Sequence, residues 1–308
     1  MHRTIEITLP PAATDAFVVE VRGNTHVVGL AVQPGASVEP EGDVVTVHVL
    51  NRGADDVLRA VERARRHGPV SVATAELASL SDPTHQHAID RDVDEALWEE
   101  LETGLRHQGR VTPNYVALMA LGGAVAAVGA LAEPSVAALA YVASAVIAPG
   151  FEPVAKIALG LVLRRGEVIK VGLVSTVVGY LVLILAAAVT WWGLHAAGAA
   201  EPGDFLGGDA LKHTIEPSGQ VLVVAVCGAL AGAVMQAAYR RSVIAGALIA
   251  LRIIESGGVT GVALAMGRFD LAGQSLLRLA IEAAFIVVAG LIVFGIKQAA
   301  VHRRAPLH

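Results

Sequence analysis

The sequence is poor in cysteine, in aromatic side chains and, beyond its first third, in charge. Its 308 residues include one cysteine, Cys227, so an intrachain disulfide is excluded. Only 4% of the residues are aromatic, whereas 54% are hydrophobic and the mean hydropathy is +0.59. Ordinary soluble proteins are less apolar than this, so the composition indicates an integral membrane protein.

The charged residues are concentrated near the N terminus. Residues 1–110 hold 18 of the 28 acidic and 10 of the 23 basic residues, which leaves 10 acidic and 13 basic residues for the other 198. This division predicts a soluble head followed by a membrane body. The net charge of −5 provides no basic surface for nucleic acid, so none is expected as a partner. Residues 1–10 lack the apolar core of a cleavable signal peptide, so the head is expected to stay in the cytoplasm.

The first 82 residues predict a small α+β domain. Alternating apolar residues and turn signals predict four strands and two helices, over 3–9, 11–23, 26–32, 43–50, 54–66 and 70–75. Their order, β-α-β-β-α-β, is that of a ferredoxin-like domain. The head has no catalytic constellation, which leaves a scaffold, a metabolite-binding module or a self-contact as its role.

Three further segments follow the head domain at 1–82. Residues 83–110 predict an acidic linker, with an amphipathic helix over Asp90–His107. Residues 111–298 predict a transmembrane domain, and 299–308 a basic cytoplasmic tail. The six predicted crossings are Asn114–Ala132, Val136–Leu163, Val171–Leu194, Gln220–Tyr239, Val243–Gly267 and Leu271–Ile296.

Basic residues outside the crossings fall mainly on one side of the membrane. If each segment crosses once, Lys212 and Arg268 are on the other side. The positive-inside rule therefore puts both termini in the cytoplasm. The residues on the basic side are Arg106, Arg110, Arg164, Arg165, Lys170, Arg240, Arg241, Lys297, Arg303 and Arg304.

Two crossings are interrupted near the middle. Pro149 and Gly150 interrupt the second, and Gly257 with Gly258 interrupts the fifth. Backbone groups freed by such breaks are tolerated in a membrane only where they face protein or water. Hydroxyl side chains beside the breaks either repair these hydrogen bonds or contact a solute, and they are Ser144, Ser256 and Thr260.

Acid–base pairs lie within the crossings at spacings of three or four residues, which put each pair on one helix face. The pairs are Glu152 with Lys156, Arg252 with Glu255, and Arg278 with Glu282. Two interpretations remain open. The pairs either join the bundle or its subunits internally, or they line a hydrated cavity and bind a charged or zwitterionic solute.

The two halves of the membrane domain have similar layouts. Each consists of a plain, a broken and a long helix, and an offset of 107 residues brings Gly150 onto Gly257. Three crossings per half invert the second half relative to the first. The sequence thus predicts a 3+3 inverted repeat, in which broken helices commonly face each other at the bilayer midplane.

The second crossing also suggests a family. Residues Ala143–Pro153, followed by Ala158-Leu159-Gly160-Leu161, resemble the signature of an uncharacterised hydrophobic-domain family, the domain of unknown function 389. The resemblance covers about residues 110–297 and implies a prokaryotic membrane protein with several helices. It supplies no functional residues. The family usually has a proline in the fifth crossing, which Arg252–Gly258 lacks.

Taken together, the sequence predicts a mainly α, six-helix membrane protein with two broken helices and a ferredoxin-like head. The leading interpretation is a transporter or channel-like protein for a small zwitterionic or anionic solute at a midplane site. Its predicted solute-binding residues are Ser144, Pro149, Gly150, Glu152, Lys156, Arg252, Glu255, Ser256, Gly257 and Thr260. Arg278 and Glu282 are a coupling or structural ion pair, with Glu282 as the candidate proton-coupling carboxylate.

The alternative is a membrane-anchored sensor or oligomeric scaffold whose head binds a metabolite or partner. No nucleophile–base pair or metal-ligand set appears, so no enzyme activity, metal or cofactor is expected. The expected setting is the cytoplasmic membrane, with the lipid bilayer, a small polar solute and further copies of the chain as partners.

Overall fold

The computed structural model of the protein describes residues 2–238 and 243–307, without the side chains at 107, 108 and 243–250. The chain forms two compact units. The head comprises Met1–Glu100 with His302–His308, and the membrane unit comprises Leu101–Val301. Residues 83–100, predicted to lie in the linker, and 302–308, predicted to be a separate tail, are thus parts of the head.

The head has the predicted α+β order. Its elements are β1 (His2–Leu9), α1 (Pro11–Arg22), β2 (Val27–Val38), β3 (Glu41–Leu50), α2 (Asn51–Ala64), β4 (Ser71–Leu77) and α3 (Gln86–Ile89). The strands form an antiparallel sheet in the order β2-β3-β1-β4. Alternate residues of β1 explain the core, because Ile5, Ile7 and Leu9 are fully buried in one cluster with Leu58 and Val61 of α2.

The acidic helix of the linker begins later than predicted. This helix, α4, covers Trp98–Gln108 instead of starting at Asp90. Side chains of the head bind the preceding backbone: Asn51 Nδ2 donates to the carbonyl of Val93 at 2.8 Å, and Arg3 Nη2 to that of Glu95 at 2.7 Å. These carbonyls accept hydrogen bonds from side chains of the head and not from the backbone of a helical turn.

The membrane unit is helical. Its elements are α5 (Pro113–Leu131), α6 (Pro134–Ile147), α7 (Phe151–Val162), α8 (Gly166–Ala196), α9 (Pro202–Leu206), α10 (Asp209–Ile215), α11 (Gly219–Ala237), α12 (Val243–Ala265) and α13 (Phe269–Ala300). Among the described residues, α5, α8, α11 and α13 are long and apolar enough to span a membrane. The pair α6 and α7 provides a fifth candidate span, bent by 52°.

The first predicted break is confirmed and the second is wrong. Residues 148–150 separate α6 from α7, but α12 continues without interruption through 256–261. Its glycines allow close helix contact. A Cβ at Gly257 would lie 2.7 Å from Leu183 Cδ2, and one at Gly258 would lie 2.7 Å from Ala126 Cβ. Glycine in this crossing is therefore a packing feature and not a turn.

The segment between the third and fourth predicted crossings forms two short helices, α9 and α10. Ala210, Leu211 and Thr214 of α10 are buried. No helix was predicted between these crossings. The end of the fourth predicted crossing at Tyr239, with Arg240 and Arg241, lies outside the described residues.

Candidate functional site

Four charged side chains in the interior of α12 and α13 form two ion pairs. Arg252 Nη1 donates to Glu255 Oε2, and Arg278 Nη2 lies against Glu282 Oε1. Each pair lies on one face of its helix, as the spacing predicts. None of the four side chains is more than 12% exposed. Both pairs are thus buried within the membrane unit.

The two pairs form a single group, called here the charge cluster. Glu255 interacts electrostatically with Arg278, and Glu282 with Arg252. Arg252 and Glu282 also line a cavity, together with Gly228 of α11. The volume open to the centre of a water molecule is about 10 Å³, so the cavity holds about one water. The cluster therefore combines balanced charge with a water-sized space.

Both arginines of the charge cluster have side-chain nitrogens without a hydrogen-bond acceptor among the described residues. They are Nε of Arg252, and Nε and Nη2 of Arg278. Arg252 Nη2 donates to the backbone carbonyl of His213 in α10, at 3.4 Å. A buried donor without an acceptor costs about 1–3 kcal/mol. The cluster can therefore accept a further hydrogen-bonding group, either water or a solute.

The break between α6 and α7 packs against α12 beside the charge cluster. Tyr180 Oη donates to the carbonyl of Gly150 at 3.0 Å. A Cβ at Gly150 would lie 2.7 Å from Tyr180 Oη and 3.2 Å from Ile254 Cδ1, and Ile254 directly precedes Glu255. The break and the fifth crossing thus lie against each other, at a contact filled by side chains.

The predicted pair between Glu152 and Lys156 is not formed. Lys156 Nζ donates instead to the carbonyl of Gly109, at 2.8 Å. Gly109 follows the last residue of α4, where carbonyl groups lack helical donors and readily accept one from a side chain. Glu152 interacts electrostatically with Tyr115 and Tyr180. The predicted site is thus divided, with Glu152 and Lys156 in surroundings different from the charge cluster.

Part of the membrane unit matches the model of a known protein family. The model of the family described as "Domain of unknown function (DUF389)" matches residues 145–288. The matched residues are called here the DUF389 segment. The match confirms the resemblance inferred from Ala143–Pro153, and it extends from α6 into α13. The DUF389 segment therefore contains Pro149, Gly150, Glu152 and the entire charge cluster. No curated protein and no solved structure matches the sequence.

The three hydroxyl side chains beside the predicted breaks all donate to backbone carbonyls. Ser144, just before the DUF389 segment, donates to Gly122 at 2.5 Å. Within the segment, Ser256 donates to Arg252 at 3.1 Å, and Thr260 to Ser256 at 2.7 Å. Their single protons are therefore engaged within the protein, which favours hydrogen-bond repair over solute contact.

One polar side chain near the DUF389 segment was not predicted from the sequence. Tyr141 of α6 is 5% exposed and interacts electrostatically with Glu255 and Arg252. Its hydroxyl has no hydrogen-bond partner in the described part of the chain. A tyrosine in the interior of an apolar helix, away from the membrane interfaces, was the available signal.

A second group of buried charges, called here the head network, was also missed. Arg3 donates to Glu100 from Nε and Nη2, at 2.8 and 2.6 Å. Arg304 donates from Nε to Asp55 at 2.6 Å, and from Nη1 and Nη2 to Glu99 at 2.6 and 2.7 Å. The network joins β1, α2, the start of α4 and the C-terminal residues, all within the head.

The head network shifts the titration of its carboxyl groups. Burial opposes ionisation of Asp55 and Glu99, but hydrogen bonds and positive charge outweigh it and lower the pKa of both groups. His302 and Arg304 act on Asp55, and Arg304 acts on Glu99. Within the described residues, no group of three or more His, Cys, Asp or Glu is arranged to hold a metal ion.

Proposed function

We propose that the membrane unit carries a small polar solute, either a zwitterion or a small anion, across the cytoplasmic membrane. The supporting observation is the charge cluster, whose two arginines each have an unused nitrogen in an apolar unit. Its equal numbers of positive and negative groups suit a zwitterion better than a multivalent cation. Arginine N–H groups are well matched to a carboxylate or another small oxyanion.

In this mechanism, the anionic group of the solute accepts hydrogen bonds from the cluster arginines. The cavity beside Arg252 and Glu282 admits only about one water, so helices must separate for a solute to enter. The contact between Arg252 Nη2 and the His213 carbonyl is long, at 3.4 Å. Because the cavity is lined by α11, α12 and α13, the opening step is separation of these helices, which this long contact opposes only weakly.

The proposed topology has six crossings and cytoplasmic termini. The four single-helix spans and the bent pair account for five, and α12, with 23 residues, is proposed as the sixth. The head contains residues that precede the membrane unit in sequence and residues that follow it. Because a folded unit lies on one side of a bilayer, the membrane unit must begin and end on that side. An even number of crossings satisfies this requirement. The basic-residue bias assigns the head to the cytoplasm.

An inverted repeat is also part of the proposal. The first half consists of a 19-residue helix, the bent pair and a 31-residue helix. The second half consists of helices of 19, 23 and 32 residues. This similar order of lengths supports the repeat. The halves differ in the middle element, which is broken only in the first.

Uptake into proteoliposomes tests the transport proposal. Glycine serves as the zwitterionic probe, and acetate and inorganic phosphate serve as anionic probes. We expect uptake of at least one probe, and its loss in Arg252→Gln and Arg278→Gln. Arg268→Gln is the matched control, because Arg268 pairs with Asp270 at an exposed position. Robust wild-type uptake that both cluster variants match would exclude this site.

The second candidate function is a membrane-anchored sensor, and the head network favours it. A metabolite or partner that rearranged the head would act on the start of α4 and on residues 302–307 together. The test is hydrogen exchange of the full-length protein with a metabolite panel. A fragment of residues 1–82 is unsuitable, since it lacks Glu99, Glu100 and Arg304. Protection of head amides by a metabolite would support the sensor, and unchanged exchange with every compound would count against it.

Homo-oligomerisation is retained as a proposal, with the sheet of the head as the contact. The glycine face of α11 is less suited to this role. Gly232 is buried within the unit, and Gly228 lines the cavity beside the charge cluster. Chemical cross-linking in membranes, followed by mass spectrometry of the linked peptides, would identify the contacting face.

A further inference from the structure

The acidic side chains in the interior of the membrane helices are not equivalent. Glu255 and Glu282 are paired with Arg252 and Arg278. Glu152 has no ion pair in the described part of the chain, since Lys156 donates to Gly109. It is the second residue of α7, directly after the break at 148–150. Unlike Glu255 and Glu282, Glu152 therefore has no basic partner among the described residues.

The hydroxyl groups of Tyr115 and Tyr180, which interact electrostatically with Glu152, have no free proton to donate to it. The hydroxyl of Tyr115 donates to the carbonyl of Ser175 at 2.7 Å, and that of Tyr180 donates to the carbonyl of Gly150 at 3.0 Å. A phenol has one proton, so neither tyrosine can donate to the carboxylate at the same time. Their oxygen lone pairs are still available to accept a hydrogen bond from a protonated Glu152.

The backbone supplies partners for the ionised form. Glu152 lies in the first turn of α7, where backbone amides have no helical acceptor. Such amides, with the positive end of the helix dipole, favour a negative charge. The same position therefore provides amide donors for the carboxylate and phenolic acceptors for the carboxylic acid. A site with partners for both forms can bind and release a proton.

We propose that Glu152 is the proton-binding group of the transporter, in place of Glu282. This inference depends on the proposed transport function for its role, but proton binding itself can be measured without a solute. The break provides the link to the charge cluster, because Gly150 contacts Ile254 next to Glu255 and accepts the hydrogen bond of Tyr180. Proton transfer at Glu152 thus occurs beside the backbone that packs on the solute site.

Infrared spectroscopy of the full-length protein in nanodiscs tests proton binding directly. The acid-minus-alkaline difference spectrum should contain a carboxylic acid band from a group in apolar surroundings. We expect this band to disappear in Glu152→Gln and to be unchanged in Glu133→Gln, a carboxylate at the start of α6 outside the helix. A band that persists in Glu152→Gln, or one that disappears in Glu282→Gln or Glu255→Gln, would overturn the assignment.

Labelling of the wild-type protein provides a second measurement that needs no variant. Dicyclohexylcarbodiimide reacts with protonated carboxyl groups in apolar surroundings, and mass spectrometry identifies the labelled residue. We expect labelling at Glu152 that increases as the pH falls. Labelling confined to Glu255 or Glu282 would overturn the proposal. Suppression of Glu152 labelling by Na⁺ at every pH would show that Glu152 binds a metal cation instead of a proton.

The two proposals can fail separately. If the infrared and labelling results assign the proton to Glu152 but no probe enters proteoliposomes, transport is excluded while the proton site stands. If uptake depends on Arg252 but an inward acid gradient does not stimulate it, the proton role is excluded while transport stands. If both are correct, the gradient stimulates uptake severalfold and Glu152→Gln abolishes that stimulation.

Discussion

The buried arginines of the head and those of the membrane unit are satisfied to different extents. Arg3 and Arg304 in the head each donate from Nε and from both Nη atoms. Arg252 and Arg278 in the membrane unit each have an Nε without an acceptor among the described residues. A saturated guanidinium fixes the elements around it, whereas an unsaturated one retains capacity for a ligand. This difference separates a structural network from a candidate solute site.

The largest effect is expected from removing a saturated arginine. Arg3→Gln leaves Glu100 buried without its cation, which costs about 3–5 kcal/mol. We expect the free energy of unfolding of the head to fall by this amount, as measured by hydrogen exchange of β1 and α2 amides in the full-length protein. Arg22→Gln, at an exposed position in α1, should change the exchange little. Equal effects of the two variants would contradict a structural role for the head network.

In the membrane unit, we expect the function to be more sensitive than the stability. Arg252→Gln should reduce probe uptake at least about tenfold, which corresponds to about 1.4 kcal/mol. Its effect on thermal stability should be smaller than that of Arg3→Gln, because Arg252 is 12% exposed and Arg3 is fully buried. Uptake assays and thermal unfolding of the same preparations check both statements. A larger stability loss in Arg252→Gln than in Arg3→Gln would reverse the comparison.

The close packing of α12 can be disturbed without changing any charge. Gly258→Ala puts a Cβ 2.7 Å from that of Ala126 and 3.2 Å from its backbone. Such overpacking typically costs about 1–3 kcal/mol, which is similar to the cost of a lost buried hydrogen bond. We expect a lower thermal stability and weaker uptake, since the charge cluster moves with α12. Gly273→Ala in α13, where no atom lies within 4 Å, is the control. An unchanged thermal stability in Gly258→Ala would argue against the close contact with α5.

The smallest effect concerns the acid sensitivity of the head network. Asp55 and Glu99 have lowered pKa values in the folded head. Their ionised forms therefore stabilise the head above the unfolded values of about 4, and this stabilisation is lost as the pH falls through the lower folded values. The amide of Leu307 donates to Glu99 at 2.8 Å, so its hydrogen exchange should accelerate in that range.

A control separates this acid sensitivity from general acid unfolding. Asp56→Asn removes an exposed carboxylate paired with Arg59 and should leave the pH profile of Leu307 exchange unchanged. Arg304→Gln should instead make Leu307 exchange fast at neutral pH. Slow exchange in Arg304→Gln would show that Glu99 does not need Arg304 to hold the C-terminal residues.

The order of elements in the head and the position of the first break could be predicted from the sequence. Alternating apolar residues determine the strands locally, and the Pro149-Gly150 step prevents a continuous helix. The second break could not be predicted, because Gly257 and Gly258 permit either a turn or a close contact. Only the positions of Leu183 and Ala126 on neighbouring helices distinguish these outcomes.

The candidate site was only partly predictable for a similar reason. Spacing along one helix was sufficient for Arg252 with Glu255, but it gave the wrong partner for Lys156. The Gly109 carbonyl lies 47 residues away in sequence, and a residue pattern contains no signal for such a contact. The same limit applies to Tyr141 and to the head network, whose partners are brought together only by tertiary folding.

The C-terminal residues have a consequence for biosynthesis. Asp55 binds His302 and Arg304, which the ribosome adds after α13. The nascent head must therefore wait, with Asp55 and Glu99 lacking their cations, until residues 302–304 have been translated. A premature stop codon between Ala300 and His302 would leave α13 intact and the head unfinished.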